Sequence, residues 1–249
     1  MTRARDNADF GHLAGRKNLL INGGFDVWQR GYGPFTNEWG PDHWWSSSTA
    51  QRVASTAEQK SVVSLSTDGT IRQPVELPLV GYAAPFTTGT KLTLTIRAQG
   101  DIGDSIQLRT LFKDNSTTAT NEVADVVIPN AIVIDKTGYH NYSVTWEVGA
   151  SPVGTNTCYV LLFDVARTSN LYLSKVQLEV GDKATEFEQR HIGEELALCQ
   201  RYYSTSDADF YCYTIVPGDS DIRAARVQFP VAMRAIPAMT HTFNAGTYS

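Results

Sequence analysis

From Lys91 to Gln99 the side chains alternate, with Leu92, Leu94, Ile96 and Ala98 on one side and Lys91, Thr93, Thr95, Arg97 and Gln99 on the other. A period of two with one wet face is the mark of a half-buried strand in an antiparallel sheet. Ser105 to Lys113 repeats it with Ile106, Leu108 and Phe112 against Gln107, Arg109 and Lys113. Asn141 to Val148 does the same with Tyr142, Val144, Trp146 and Val148 against Asn141, Ser143, Thr145 and Glu147. Cys158 to Phe163 is apolar in both phases and short, which predicts a central strand covered on both faces. Leu171 to Val180 returns to mixed character, and weaker strands are expected near Gln51 to Ser55, Val62 to Ser66 and Ile71 to Leu77. Turn pairs such as Asp68-Gly69, Thr88-Gly89, Gly100-Asp101, Asp114-Asn115 and Thr137-Gly138 punctuate these runs. Many short strands with no long helix between them give an all-β fold, a two-sheet β-sandwich of jelly-roll topology over residues 18–189.

After Glu188 the period changes. Ile192, Leu196, Cys199 and Tyr203 fall at helical spacing, forming one stripe of a short connector helix over residues 190–203. Glu194 and Glu195 in its first turn and Arg201 in its last suit the helix dipole. The stripe can pack on its own sandwich or meet copies of itself around an axis. Residues 204–249 hold further strand-like pieces, DFYCYTIV and RAARVQFP, but too little apolar material for an independent core, so a small C-terminal β region stabilised by other copies of the chain is expected. Residues 1–17 carry Arg3, Arg5, Arg16 and Lys17 against Asp6 and Asp9 with few large apolar groups, which describes an arm: either a disordered terminus or a peptide that orders on docking to a neighbour.

Charge narrows the function. A net charge of −5 and a pI near 5.5 oppose binding to nucleic acid through phosphate neutralisation. No segment has the apolar length of a membrane span, and the N-terminus lacks the apolar stretch of a signal peptide. The three cysteines, Cys158, Cys199 and Cys212, show no paired or metal-binding spacing and read as reduced, buried thiols.

Candidate chemistry centres on Trp28 to Trp45, where Trp28, Tyr32, Phe35, Trp39, Trp44 and Trp45 crowd together with Gly31, Gly33, Pro34, Gly40 and Pro41. Sugar rings stack their C–H faces on such rings, and Asn37, Glu38, Asp42 and His43 could take the hydroxyls. The plain alternative is core packing, since aromatic side chains dominate core energetics. That alternative is preferred for Trp28 and Trp44, which leaves Tyr32, Trp39, Asp42 and Trp45 as the candidate ligand-binding set. No catalytic constellation has convincing spacing. Glu186, Glu188, Glu194 and Glu195 read as solvated surface and a helix N-terminus rather than a glycosidase pair. The five histidines share no metal-binding motif, and no nucleophile elbow or phosphate loop is present; Gly23-Gly24 reads as a tight turn. Neither an enzymatic activity nor a cofactor is expected.

Two phrases, NLLINGGFDVWQR at Asn18 to Arg30 and KVQLEVGDKATEFEQRHIGEELALCQRYY at Lys175 to Tyr203, resemble those bounding a carbohydrate-binding-module-like jelly roll in bacteriophage tail-fibre and related virion-appendage proteins. The resemblance spans roughly Thr2 to Tyr203. It implies a structural and host-attachment protein of the virion, assembled in the host cytoplasm and trimeric about an axis that Ile192, Leu196, Cys199 and Tyr203 would line. It also implies docking on other virion proteins through the N-terminal arm and a bacterial surface glycan as ligand. FPVAMRAIPAMT resembles a phrase from the C-terminal β region of such proteins. Modules of this type often carry a structural calcium with an Asp from the last strand; here Ser174 stands at that position, with Asp164 and Asp182 as the nearest substitutes, and no metal is assigned. Two other readings remain: a purely architectural head, neck or collar fibre or adaptor, and a glycan-cleaving spike, which would need paired carboxylates in a groove.

Overall fold

The computed structural model describes residues 17–53, 62–75, 88–114, 122–129, 131–149, 157–167, 170–205, 229–234, 236 and 238. Twelve strands are present among these residues: β1 (Glu38–Trp39), β2 (Trp45–Ser46), β3 (Ala50–Val53), β4 (Val62–Leu65), β5 (Gly69–Val75), β6 (Lys91–Gln99), β7 (Ser105–Asp114), β8 (Glu122–Val127), β9 (Ile132–Val133), β10 (His140–Glu147), β11 (Thr157–Ala166) and β12 (Leu171–Val180). One helix follows, α1 (Ile192–Gln200).

The strands form two antiparallel sheets. One has the order β1-β2-β5-β11-β7-β8, with β9 also pairing β7, and the other runs β10-β6-β12-β4-β3. The chain changes sheet at each of β2 to β3, β4 to β5, β5 to β6, β6 to β7, β9 to β10, β10 to β11 and β11 to β12, so neighbours such as β5 and β11 or β6 and β12 come from distant parts of the sequence. This is the all-β jelly-roll β-sandwich with a short helix that the alternation predicts.

The alternating segments place their apolar sets inward. Leu92, Leu94, Ile96 and Ala98 of β6, with Ile106 and Leu108 of β7, are fully buried and belong to one core with Trp44, Trp146, Phe163, Leu173 and Leu178. β11 is central, between β5 and β7, as its apolar run predicts; yet Asp164 on its outward face is half-buried and pairs with Arg109 at 3.2 Å, so that face is not covered along its whole length. β1 and β2 arise in the aromatic segment, where the sequence pattern predicts no strand, because a two-residue strand leaves no periodicity to detect.

The two phrases at the ends of the sandwich are fastened to each other. The Leu19 N–H donates to the Leu178 carbonyl at 2.8 Å, and the Val176 N–H to the Gly23 carbonyl at 2.8 Å. Asn18 is buried; its Nδ2 donates to the Val176 carbonyl at 3.0 Å and its Oδ1 accepts from the Leu20 and Leu178 N–H groups, each at 3.0 Å. Asn22 is equally buried, spanning the turn from its left-handed backbone (φ 54°) to the Val27 N–H and the Val27 and Asp42 carbonyls. A side chain on Gly23 would overlap the Val176 carbonyl oxygen, so close approach requires that glycine, while the positive φ values fall on Asn22 and Phe25.

Arg190 closes this junction. It donates to the Asn18 and Leu20 carbonyls and lies 3.3 Å from Glu195 and 3.6 Å from Glu188. Glu195 accepts from the Asn22 N–H, and Glu188 from the Asn18 N–H at 2.8 Å. Glu195 stands at the helix N-terminus as read, but neither it nor Glu188 is simply solvated: both satisfy backbone donors and a buried guanidinium.

α1 is shorter than expected, with Arg201 as its C-cap rather than in its last turn. Its inner face, Glu195 and Cys199, is buried against its own chain, with Glu195 held by the Asn22 N–H and Arg190. Of the residues expected at an oligomer axis, Cys199 is buried and Tyr203 lies under the Arg30 guanidinium, 3.3 Å from the ring centroid; Ile192 is 52% exposed and Leu196 half-buried. The stripe thus divides between the chain's own fold and an outward edge. The N-terminal arm over 1–16 and most of the C-terminal β region of 204–249 lie outside the described residues.

Candidate functional site: an aromatic ribbon at a sheet edge

The segment from Trp28 to Trp45 sorts its rings by direction. Trp28 donates from Nε1 to the Phe25 carbonyl at 2.5 Å and stacks on Phe35; Trp44 donates to the Asn22 carbonyl at 3.0 Å and packs between Phe25 and Phe163. These three rings, Trp28, Phe35 and Trp44, are buried, and each buried indole N–H has its acceptor.

Trp39 and Trp45 face each other across β1 and β2, and Trp45 in turn faces Arg72 of β5. Residues directly opposite on antiparallel strands project to the same side. Ile71 and Gln73 flank Arg72 and are buried, so the row Trp39, Trp45, Arg72 lies on the outer face of its sheet. The row continues in register to Arg109 of β7, which lies beyond β11 and pairs with Asp164. Trp39 keeps 39% of its surface exposed. Trp45 is half-buried under the Arg72 guanidinium, which makes a cation–π contact 4.0 Å from the ring centroid. Tyr32 is 61% exposed beside Arg52, whose guanidinium lies 4.6 Å from its ring, and is tied by its carbonyl to the Arg52 N–H at 2.7 Å.

Asp42 differs from its expected role. It is fully buried, accepts from the Gln29 N–H at 2.9 Å and pairs with Arg30 at 3.2 Å. Burial pushes its carboxyl upward, opposed by the Gln29 bonds and Arg30. Asp42 therefore holds the loop from beneath and does not reach a ligand on the outer face. His43, also considered for sugar hydroxyls, is buried beneath Trp39. Its ring stacks on Trp39 with centroids 6.5 Å apart, meets Tyr202 at 3.9 Å, and has Nε2 2.9 Å from the Pro74 carbonyl. Burial lowers its pKa to about 4, with Arg234 and Arg30 adding to the effect and the Pro74 carbonyl opposing it. Asn37 and Glu38 are exposed beside Trp39, and Asn37 has a left-handed φ of 57°.

Sequence reading missed Arg72, because a basic residue on an alternating strand looks like ordinary solvated surface. It also missed that Gln29, Arg30 and the connector residues Tyr202 and Tyr203 form one substructure under the ribbon: Gln29 Nε2 donates to the Tyr203 carbonyl at 2.9 Å. The described residues do not fit the calcium that the family resemblance implies. Ser174 offers a neutral hydroxyl, Asp164 is paired with Arg109 and Asp182 with Lys91 at 3.4 Å, and no three carboxylate, imidazole or thiol groups converge among the described residues.

No family model matches this sequence, and no curated protein matches it. Solved structures give low-scoring similarities. The CBM22-2 xylan-binding domain of Paenibacillus barcinonensis Xyn10C aligns at 12% identity and TM-score 0.40, over 56% of this chain and 92% of that one. A family 16 carbohydrate-binding module aligns at 15% identity and TM-score 0.39, over 65% of this chain and 99% of that one. The enzymatically active domain of bacteriophage CBA120 tailspike protein 4 aligns at 14% identity and TM-score 0.38, over 66% of this chain and 21% of that one. Alignments at these scores carry no argument about ligand or partner.

Proposed function

We propose that this chain is a non-enzymatic fibre protein of a bacteriophage virion that recognises a glycan on the host surface through the outer aromatic ribbon. The observation that carries the reading is the Trp39–Trp45 cross-strand pair, set outward with Arg72 on a rigid sheet while the neighbouring indoles Trp28 and Trp44 are committed to the core. The exposed Trp39 indole, next to the Arg72 guanidinium that caps Trp45, is suited to the apolar face and hydroxyl rim of a sugar ring. The virion assignment is supported by the resemblance of the Asn18 to Arg30 and Lys175 to Tyr203 phrases to those of phage appendage proteins. In this chain the two phrases are fastened to each other through Asn18, Asn22, Gly23, Arg190 and Glu195. Trimerisation would add avidity to a weak single site.

The test is flow cytometry of labelled protein on candidate host bacteria before and after removal of surface polysaccharide. Saturable binding that is lost on stripping, and falls at least about tenfold in Trp39→Ala, is expected, because Trp39 is partly exposed on a two-residue edge strand and its removal leaves the core intact. Binding that survives both treatments would overturn glycan recognition by this ribbon. No binding by the assembled protein would favour a purely architectural fibre or adaptor.

A further inference from the structure

On the other sheet, a pocket of ≈ 330 Å³ opens between the strand faces and the segment that follows β12. Its floor is Thr95 and Arg97 of β6 with Asn141 of β10, which pairs directly with Arg97. These residues lie in the outward phase of β6, the phase opposite to Leu94, Ile96 and Ala98. Its wall is residues 185–189, held over the sheet by side chains of β12. Glu179 accepts from the Thr185 N–H at 2.8 Å and from its hydroxyl at 2.7 Å, and Gln177 accepts from the Glu188 N–H at 2.7 Å. Gln177 Nε2 donates to the Glu186 carbonyl at 3.2 Å. Gln177 is fully buried and Glu179 nearly so, which makes the wall a built feature of the fold. Lys175 reaches the pocket from the register shift between Ser174 and Gln177, where its own backbone takes a left-handed φ of 50°.

The lining has a definite chemical character. Two cations, Arg97 and Lys175, stand against one carboxylate, Glu186, on a chain whose net charge is −5. Asn141 and Gln189 supply amides, Thr95 and Thr185 hydroxyls, and Phe187 a ring. A guanidinium takes a carboxylate with charge-assisted bonds, amides and hydroxyls take sugar hydroxyls, and a single ring covers one apolar sugar face. We infer that this pocket is a second carbohydrate site, separate from the aromatic ribbon, that takes a carboxylate-bearing sugar, a uronic or sialic acid residue of an acidic polysaccharide. Arg97 and Lys175 hold the carboxylate, and Asn141, Thr185 and Gln189 hold the ring hydroxyls. This inference stands without the virion assignment and without a role for Trp39.

The test is calorimetric titration of the full-length protein with trigalacturonic acid and with sialyllactose, using the methyl ester of the first and lactose as uncharged controls. Saturable binding of at least one acid is expected, with affinity at least about tenfold weaker for its uncharged control and for Arg97→Gln. Lys175→Asn gives a second reading that is safe for the fold, since asparagine tolerates the left-handed backbone at that position. Thermal unfolding of both variants at the wild-type temperature keeps a binding loss attributable to the pocket. The inference is overturned if neither acid binds at about 10 mM, if an uncharged control binds equally well, or if both variants bind like wild type. Loss of acid binding in Trp39→Ala with retention in Arg97→Gln would move the carboxylate to the ribbon and equally overturn it.

Discussion

His43 lies at the point where the aromatic ribbon meets the connector, with Trp39 on one side of its ring and Tyr202 against it. Burial holds its folded pKa at about 4, below the ordinary value of 6.5, so the unfolded chain binds this proton more readily than the folded one. Its contribution to stability is whole above about pH 6.5 and is lost as pH falls toward about 4, a change on the order of 3 kcal/mol. Urea unfolding at pH 7, 5.5 and 4.5 should show this fall, and His43→Asn should flatten it, because asparagine accepts the left-handed φ of 68° without carrying a titrating ring. An unchanged pH profile in the variant would assign the acid sensitivity to other groups. Asp42, whose folded carboxyl is raised, works in the opposite direction and is common to both proteins. At this scale the sequence showed which residue types were present but not which way they point. His43 and Asp42 are polar residues in a glycine-rich aromatic segment, a composition shared by binding loops and buried turns, and only their packing under Trp39 and against Arg30 separates the two.

Strands with clear alternation were legible almost to the residue, since β6, β7 and β10 each have one wet face and a two-residue period that no helix can match. The helix was legible in existence but not in allegiance. A stripe containing Ile192, Leu196, Cys199 and Tyr203 looks the same whether it meets a partner or its own sandwich, and what decides is Glu195, whose carboxylate is drawn inward by Arg190 and the Asn22 N–H. The residues lining the Arg97–Lys175 pocket were not legible at all, because the pocket draws on β6, β10, the β12 irregularity and the strap after it, four segments with no common motif. The Arg190–Glu195 pair makes an element-level prediction. Arg190→Met leaves a buried carboxylate and two backbone carbonyls without their cation, and is expected to cost about 3–5 kcal/mol. Glu195→Gln should cost less, since its amide oxygen can still accept from Asn22. The double variant should recover about 1–3 kcal/mol relative to additivity in chemical denaturation. Additive losses would mean that the two side chains stabilise the junction independently.

For the whole molecule, the packing of α1 changes where the chain can be divided. Ending it at Arg190 would remove Glu195 from the Asn22 N–H, Cys199 from its buried site and Tyr203 from Arg30, so such a fragment would lose stability for reasons unrelated to assembly. Ending it at Thr205 keeps these contacts and removes, among the described residues, chiefly the Arg234 contacts to Arg201 and Tyr202. If the chain assembles as a trimer through its C-terminal residues, the full-length protein should scatter light as a trimer at about 10 µM, while the 1–205 chain should scatter as a monomer that unfolds at nearly the full-length temperature. A folded 1–205 trimer would move the axis onto the sandwich or the outward edge of α1 around Ile192, and a monomeric full-length protein would remove the trimer from the proposal. The distinction bears directly on recognition. One Trp39 ribbon and one Arg97–Lys175 pocket per chain would be small sites of weak separate affinity, and three of each on a common axis would raise attachment through effective concentration without any new contact. Glycan binding that persists in a monomeric 1–205 chain, at lower apparent affinity than in the full-length trimer, is the expected combination; equal affinity of the two forms would show that one chain's sites suffice.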